Sequence, residues 1–119
     1  AKEYIDAGAD MIFPEGLTSL EEFEEVSKEL KEHSPETYLL ANMTEFGKTP
    51  IIDFDEFGKI GYDLVIYPVS TLRIAMKAVE NFLSLLKEDG NVNASLDNML
   101  TRKDLYSLTN YTPGEEWIY

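Results

Sequence analysis

The sequence predicts a parallel α/β architecture, and three observations lead to it. Three short apolar runs begin near Asp10, Tyr38 and Asp63, at intervals of 28 and 25 residues. Each is followed by a segment with helical spacing of apolar positions. The runs are continuously apolar rather than alternating, which predicts strands buried on both faces, the pattern of parallel sheets covered by crossover helices.

Each element has a local cause. "AKEYIDAG" reads as the end of a helix, with Gly8 as its C-terminal stop. "DMIFP" is a short strand closed by Pro14. In "LTSLEEFEEVSKELKEH", Leu20, Phe23, Val26 and Leu30 fall at helical spacing. Thr18 and Glu21 have the spacing of a capping box, and acids fill the first turn, where the helix dipole favours them. "TYLLAN" is the second strand, and "IIDFDEFGKIG" is a short helix ended by Gly58 or Gly61. "YDLVIYP" is the third strand. "STLRIAMKAVENFLSLLKEDG" is the strongest helix, with Leu72, Ala75, Met76, Val79, Leu83 and Leu86 on one stripe and Gly90 as its stop. "NVNASLDNML" and "TRKDLYSLTNY" are two further short helical pieces, the second capped by Thr101 with Asp104. Two architectures fit this order: a doubly wound open sheet, or part of a (β/α)8 barrel, which takes roughly 250 residues when complete.

The totals narrow the function classes. The chain has 119 residues, 44% of them apolar, enough for one domain with a real core. A net charge of −13 argues against a nucleic-acid backbone or an anionic membrane surface as partner, since both demand clustered Lys and Arg. There is no cysteine, hence no disulfide framework and no thiolate metal site, which is compatible with a reducing, cytoplasmic compartment. No apolar run approaches the ~20 residues that span a bilayer. The first residues read as helix, turn and strand rather than as a signal peptide, and a start inside a helical pattern without Met is expected of a piece of a longer protein.

Parallel α/β folds place chemistry in the loops at the C-terminal ends of strands. Those loops contain Phe13-Pro14-Glu15, then Asn42-Met43-Thr44-Glu45, then Tyr67-Pro68 with Arg73 shortly after. Glu15 is either an exposed loop acid or a carboxylate aimed into a site. Asn42 and Thr44 are either caps for the next segment or ligand groups. Arg73 stands in the first turn of a helix, where the dipole disfavours a cation, and Arg102 repeats this after Thr101. With only 10 basic residues in the chain, two such arginines point to a carboxylate ligand held by guanidinium forks.

Other matches carry nothing. "GKT" at Gly47–Thr49 matches the end of a phosphate-binding loop, but the glycine required five positions earlier is Asn42. Three triplets with the glycosylation pattern, at Asn42, Asn93 and Asn110, lack a secretory context. His33 stands at a helix end as a solvated or dipole-facing group, and the chain holds no His/Asp metal cluster.

Four blocks carry a resemblance: "GADMIFPE", "LLANMTEFGKTP", "VIYPVSTLRIAMKA" and "NMLTRKDLY". In this order they resemble the 2-methylisocitrate lyases, of the isocitrate lyase/phosphoenolpyruvate mutase superfamily, from Ala7 to about Tyr106. The resemblance implies a (β/α)8 TIM-type barrel of which residues 1–119 form roughly the C-terminal half. Segment 91–119 would be a terminal helical piece, swapped to a partner subunit in a homo-oligomer. It further implies Mg²⁺-dependent cleavage of 2-methylisocitrate to pyruvate and succinate. By the same resemblance, Glu15 matches a carboxylate of the substrate and metal site, reaching Mg²⁺ through water. Asn42, Met43 and Thr44 match the segment that holds a substrate carboxylate, and Arg73 and Arg102 the basic groups that neutralise substrate charge. The catalytic acid and base, the metal-binding aspartates and a cysteine loop lie outside the segment, so the N-terminal half of the barrel is a required partner and the segment alone is expected to be inactive. Two stretches depart from the family pattern: "KEHSPETYLLAN" is longer than usual and "TPGEEWIY" has no match. The alternatives are another superfamily activity on a 2-oxo or phosphono acid, and a catalytically inactive half-barrel that serves assembly.

Overall fold

The structure is a computed structural model that describes residues 1–114. Its elements are α1 (Lys2–Asp6), β1 (Met11–Ile12), α2 (Leu20–His33), β2 (Tyr38–Asn42), α3 (Phe54–Lys59), β3 (Leu64–Ile66), α4 (Ser70–Asp89), a 3-10 segment (Asn93–Asn98) and α5 (Arg102–Leu108). The "TPGEEWIY" tail runs on from Thr112 to Tyr119, and beyond Gly114 it lies outside the described residues. The chain forms two compact units, Ala1–Ile74 and a second beginning at Ala75.

In the first unit the three strands pair in parallel in the order β1-β2-β3. Met11 sits opposite Tyr38, and Leu40, Ala41 and Asn42 opposite Leu64, Val65 and Ile66. All three strands therefore end at the same rim. The core lies on one side of this sheet, where Ile12, Leu39, Ala41 and Met43 pack with Phe23 and Leu30 of α2, Phe57 of α3, Ile52 and Tyr62. Phe23, Phe57 and Tyr62 make three mutual edge-to-face contacts with ring centroids 5.0–5.5 Å apart, the geometry aromatic quadrupoles prefer.

Burial on both faces of the strands, as expected from their apolar runs, does not hold here. Met11, Tyr38 and Leu64 are exposed, and β2 alternates between covered and open positions. Within the first unit helices cover one face; three strands cannot enclose an interior by themselves, so apolar residues of the second face stay open to solvent. The apolar stripe of α4 is likewise exposed at Leu72, Met76, Val79 and Leu83.

Local chemistry sets the element ends. The cap of α2 lies one residue beyond the predicted one. Ser19 accepts the Glu22 N–H at 3.3 Å, while the Glu22 carboxylate accepts from both the N–H and the hydroxyl of Thr18. Both charges favour this register, since Glu21 and Glu22 stay in the first turn. Asp63 ties three elements together: its Oδ2 accepts the Leu39 N–H at 2.8 Å and the Lys31 ammonium at 3.0 Å. Desolvation works against its charge, yet these two donors hold its carboxyl below the usual range. His33 contacts Asp6 through Nε2 at 2.7 Å. In the second unit, Thr101 caps α5 as predicted, exchanging hydrogen bonds with Asp104.

Gly61, not Gly58, ends α3. Its φ is +92°, and a Cβ there would lie 2.8 Å from the buried Ser27 Oγ, whereas a Cβ at Gly58 meets nothing within 4 Å. Gly61→Ala should lower stability by about 1–3 kcal/mol in the protein carrying this chain. Gly58→Ala, inside α3, should leave it unchanged or raise it by up to ~1 kcal/mol, and urea denaturation of both variants checks the contrast. The Tyr62 hydroxyl is buried without a hydrogen-bond partner among the described residues, and burial pushes its pKa up to about 12. Tyr62→Phe should therefore be neutral or stabilising by roughly 1 kcal/mol in the same measurement, because it removes an unpaired polar group and keeps the ring.

Candidate functional site

At the shared rim, a cavity of about 350 Å³ opens between the segments that follow β1 and β2. It is lined by Glu15, Gly16, Asn42, Thr44, Gly47, Lys48 and Thr49. Three of the residues singled out in the sequence thus share one cavity: Glu15, Asn42 and Thr44. The chain turns away after Glu15 at Gly16, whose φ of +81° suits glycine. The two rim segments are joined where the Thr49 hydroxyl donates to the Leu17 carbonyl at 2.6 Å.

Asn42 is the last residue of β2. Its Oδ1 accepts the Thr44 hydroxyl at 2.8 Å, which leaves the Asn42 amide N–H groups without a partner among the described residues. An amide oriented this way offers donors to an anionic oxygen. Lys48 is the one cation of the lining and makes no ion pair among the described residues. Sequence reasoning passed over it because "GKT" was weighed only as a phosphate loop; its place four residues after Thr44 in the same polar loop was the available signal.

The Met43 side chain, within the segment expected to hold a substrate carboxylate, does not line the cavity. It is 1% exposed, its Sδ accepts the Ile52 N–H at 3.5 Å, and its own N–H continues the ladder to the Ile66 carbonyl. Strand alternation is the reason: Asn42 and Thr44 point to the open face, so Met43 between them points into the core.

Arg73 does not line the cavity. Its Nη1 lies 2.7 Å from Glu45 Oε2 and 2.7 Å from the Glu45 carbonyl oxygen, and its guanidinium carbon sits 5.2 Å from the centre of the Phe46 ring. The other Glu45 carboxylate oxygen accepts the Ser70 hydroxyl. The anion that offsets Arg73 in the first turn of α4 is therefore Glu45, a residue of this chain, and the inference from an unbalanced cation to a ligand carboxylate loses its force. Glu45 was visible in the sequence directly after Thr44. Phe46 adopts φ +64°, unusual for a bulky residue. Arg102 opens α5 in the second unit.

A second cavity, of about 630 Å³, lies within the second unit against α4 and the 3-10 segment. Its lining (Ala78, Val79, Asn81, Phe82, Leu85, Ser95, Asn98 and Met99) carries no ionisable group and no evident chemistry.

Residues 1–87 match the family described as phosphoenolpyruvate phosphomutase. The chain belongs to this family. It is 50% identical over 116 residues to the 2-methylisocitrate lyase of Aeropyrum pernix and 47% identical over 111 residues to that of Bacillus subtilis. These matches cover 98% and 93% of this chain but only 36% and 35% of the relatives, so the chain spans just over a third of their length. Among solved structures, it resembles 2,3-dimethylmalate lyase, described as a member of the PEP mutase/isocitrate lyase superfamily. The TM-score is 0.76 at 35% identity, over 89% of this chain and 35% of that one. It also resembles oxaloacetate acetylhydrolase, with a TM-score of 0.70 at 25% identity, over 92% and 39%. Of the two architectures open at the outset, the family decides for the (β/α)8 barrel, of which the described residues supply three strands.

The acid limb of stability should report the Glu45–Arg73 pair. The Ser70 hydrogen bond, the Glu45 N–H and Arg73 together hold the Glu45 carboxyl below its ordinary range. A lowered folded-state pKa stabilises above the ordinary carboxylate range and loses that contribution as pH falls through the folded value. The difference in Tm between the unaltered protein and Glu45→Gln should thus be largest near neutral pH and shrink below about pH 4.

Proposed function

We propose that this chain is part of a carbon–carbon lyase that cleaves 2-methylisocitrate to pyruvate and succinate. The reading is carried by one observation: Glu15, Asn42 and Thr44, the polar residues of the blocks that resemble 2-methylisocitrate lyases, line a single cavity at the C-terminal ends of parallel strands. Similarity to lyases of that name over nearly the whole chain supports it.

The substrate is a tricarboxylate. Breaking its carbon–carbon bond leaves charge on the succinate fragment that fixed donors must stabilise. In this proposal the Asn42 amide and the Thr44 side chain orient one carboxylate, Lys48 supplies positive potential at the cavity mouth, and Arg73 takes a second carboxylate. Arg102 enters on the family resemblance alone. The acid and base that move protons lie beyond these residues.

Mg²⁺ is the cofactor the resemblance implies. Among the described residues no group of three or more His, Cys, Asp or Glu side chains could hold a metal ion. In this reading Glu15 would reach the ion through water, and the direct ligands would come from the rest of the barrel. The proposed homo-oligomer and the swapped terminal segment stand on the same resemblance. No helix among the described residues is long and apolar enough to cross a membrane, which fits the cytoplasmic setting we propose.

The test is a steady-state assay of the complete protein with Mg²⁺ and, in turn, 2-methylisocitrate, isocitrate and 2,3-dimethylmalate. The expected result is kcat/KM for 2-methylisocitrate at least about tenfold above the others, the discrimination that one methyl contact supports against isocitrate and one unmade carboxylate contact against 2,3-dimethylmalate. Equal turnover of all three, or preference for 2,3-dimethylmalate, overturns the substrate assignment. Asn42→Ala should reduce kcat/KM about 10- to 100-fold, the loss of one hydrogen bond to a charged group.

A further inference from the structure

The clasp on Arg73 is one-sided. A guanidinium carries five N–H donors in a rigid fork. Nη1 faces both Glu45 acceptors, the carboxylate and the main-chain carbonyl, each at 2.7 Å. The Phe46 ring lies against the guanidinium, 5.2 Å from Cζ to the ring centre. Nε and Nη2 have no hydrogen-bond partner among the described residues. The Nε–H and one Nη2–H lie along that edge, two parallel donors that match the two oxygens of a carboxylate approaching side-on.

Glu45 is itself pinned. One carboxylate oxygen accepts from Ser70 and the other from Arg73, so the acid bridges two residues of the first turn of α4. A carboxylate placed to exclude a ligand would take the bidentate edge. Glu45 takes the opposite nitrogen and leaves that edge open.

We propose that Glu45 is a positioning residue: pinned by Ser70, it holds Arg73 so that the Nε–Nη2 edge receives a carboxylate of the substrate. This rests on the reading that Arg73 takes a substrate carboxylate, and it adds a residue acting through Arg73. The pair is arranged in advance, so the long arginine side chain gives up less conformational freedom when the ligand arrives.

The experiment has two arms in the complete protein. The first needs no substrate. The Arg73 Nη1–H resonance, from the nitrogen that Glu45 holds, is assigned by its absence from Arg73→Lys and followed by ¹⁵N NMR. It should be sharp and slow to exchange in the unaltered protein, lost in Glu45→Ala, and kept in Glu45→Gln, whose amide oxygen still accepts. The second arm is kinetic. Glu45→Ala should raise KM for 2-methylisocitrate about tenfold, with the larger share of the loss in KM, and Glu45→Gln should recover most of it. In an Arg73→Lys background, Glu45→Ala should add less than about twofold, because the two residues act as a unit. An Arg73 resonance unchanged in Glu45→Ala, or an equal KM effect in both backgrounds, overturns the proposal. Absence of 2-methylisocitrate turnover by the unaltered protein sinks the substrate reading instead, and the NMR arm then decides the positioning role alone.

Discussion

Parallel pairing through β2 is the constraint on which the rest depends. Among the described residues β2 is the only strand with neighbours on both sides, and Leu39 and Ala41 are fully buried on its helix-covered face. Because β1 and β3 run in the same direction as β2, the loops after all three leave at one rim. That geometry brings residues 15, 42 and 44 to one cavity although 27 positions of chain separate the first two. The anchoring is polar as well as apolar: Asp63 fixes the entry to β3 against the backbone of β2 and the ammonium of α2.

Two acids near this rim have different work. Glu15 lines the cavity and makes no hydrogen bond among the described residues, so its oxygens are open to a ligand or an ion. Glu45 is fully engaged by Ser70 and Arg73. In a chain of net charge −13, any anionic ligand meets repulsion over most of the surface, so a basic group that draws one in must be placed rather than merely present. Lys48 lines the cavity, whereas Arg73 stands outside it, held by Glu45.

Most of the fold was legible in the sequence, because it depends on period and punctuation. The helical stripes of α2 and α4, the Pro-closed strands and the Thr101 cap all follow from local rules. Two points were not legible for a common reason, the face of a strand. Continuous apolar runs concealed that one side of the sheet is left uncovered within the first unit, which alternation at Met11-Ile12 and Tyr38–Asn42 makes plain. Met43 was grouped with Asn42 and Thr44 by adjacency, whereas the two-residue period of a strand sends it to the core. The candidate cavity was legible at Glu15, Asn42 and Thr44, since strand ends mark its lining. The partner of Arg73 was not, because Glu45 is 28 residues away in sequence and only the fold brings the two together.

Phe46 has a consequence of its own. Its backbone lies in the left-handed region at φ +64°, which disfavours a bulky side chain, and its exposed ring stands 5.2 Å from the Arg73 guanidinium carbon, within cation–π reach. The shape of the segment after β2 and the orientation of one cation are thus thermodynamically linked, and such linkage is reciprocal. Whatever steadies the cation also tightens this bend, and whatever draws it away frees the bend to relax toward extended backbone.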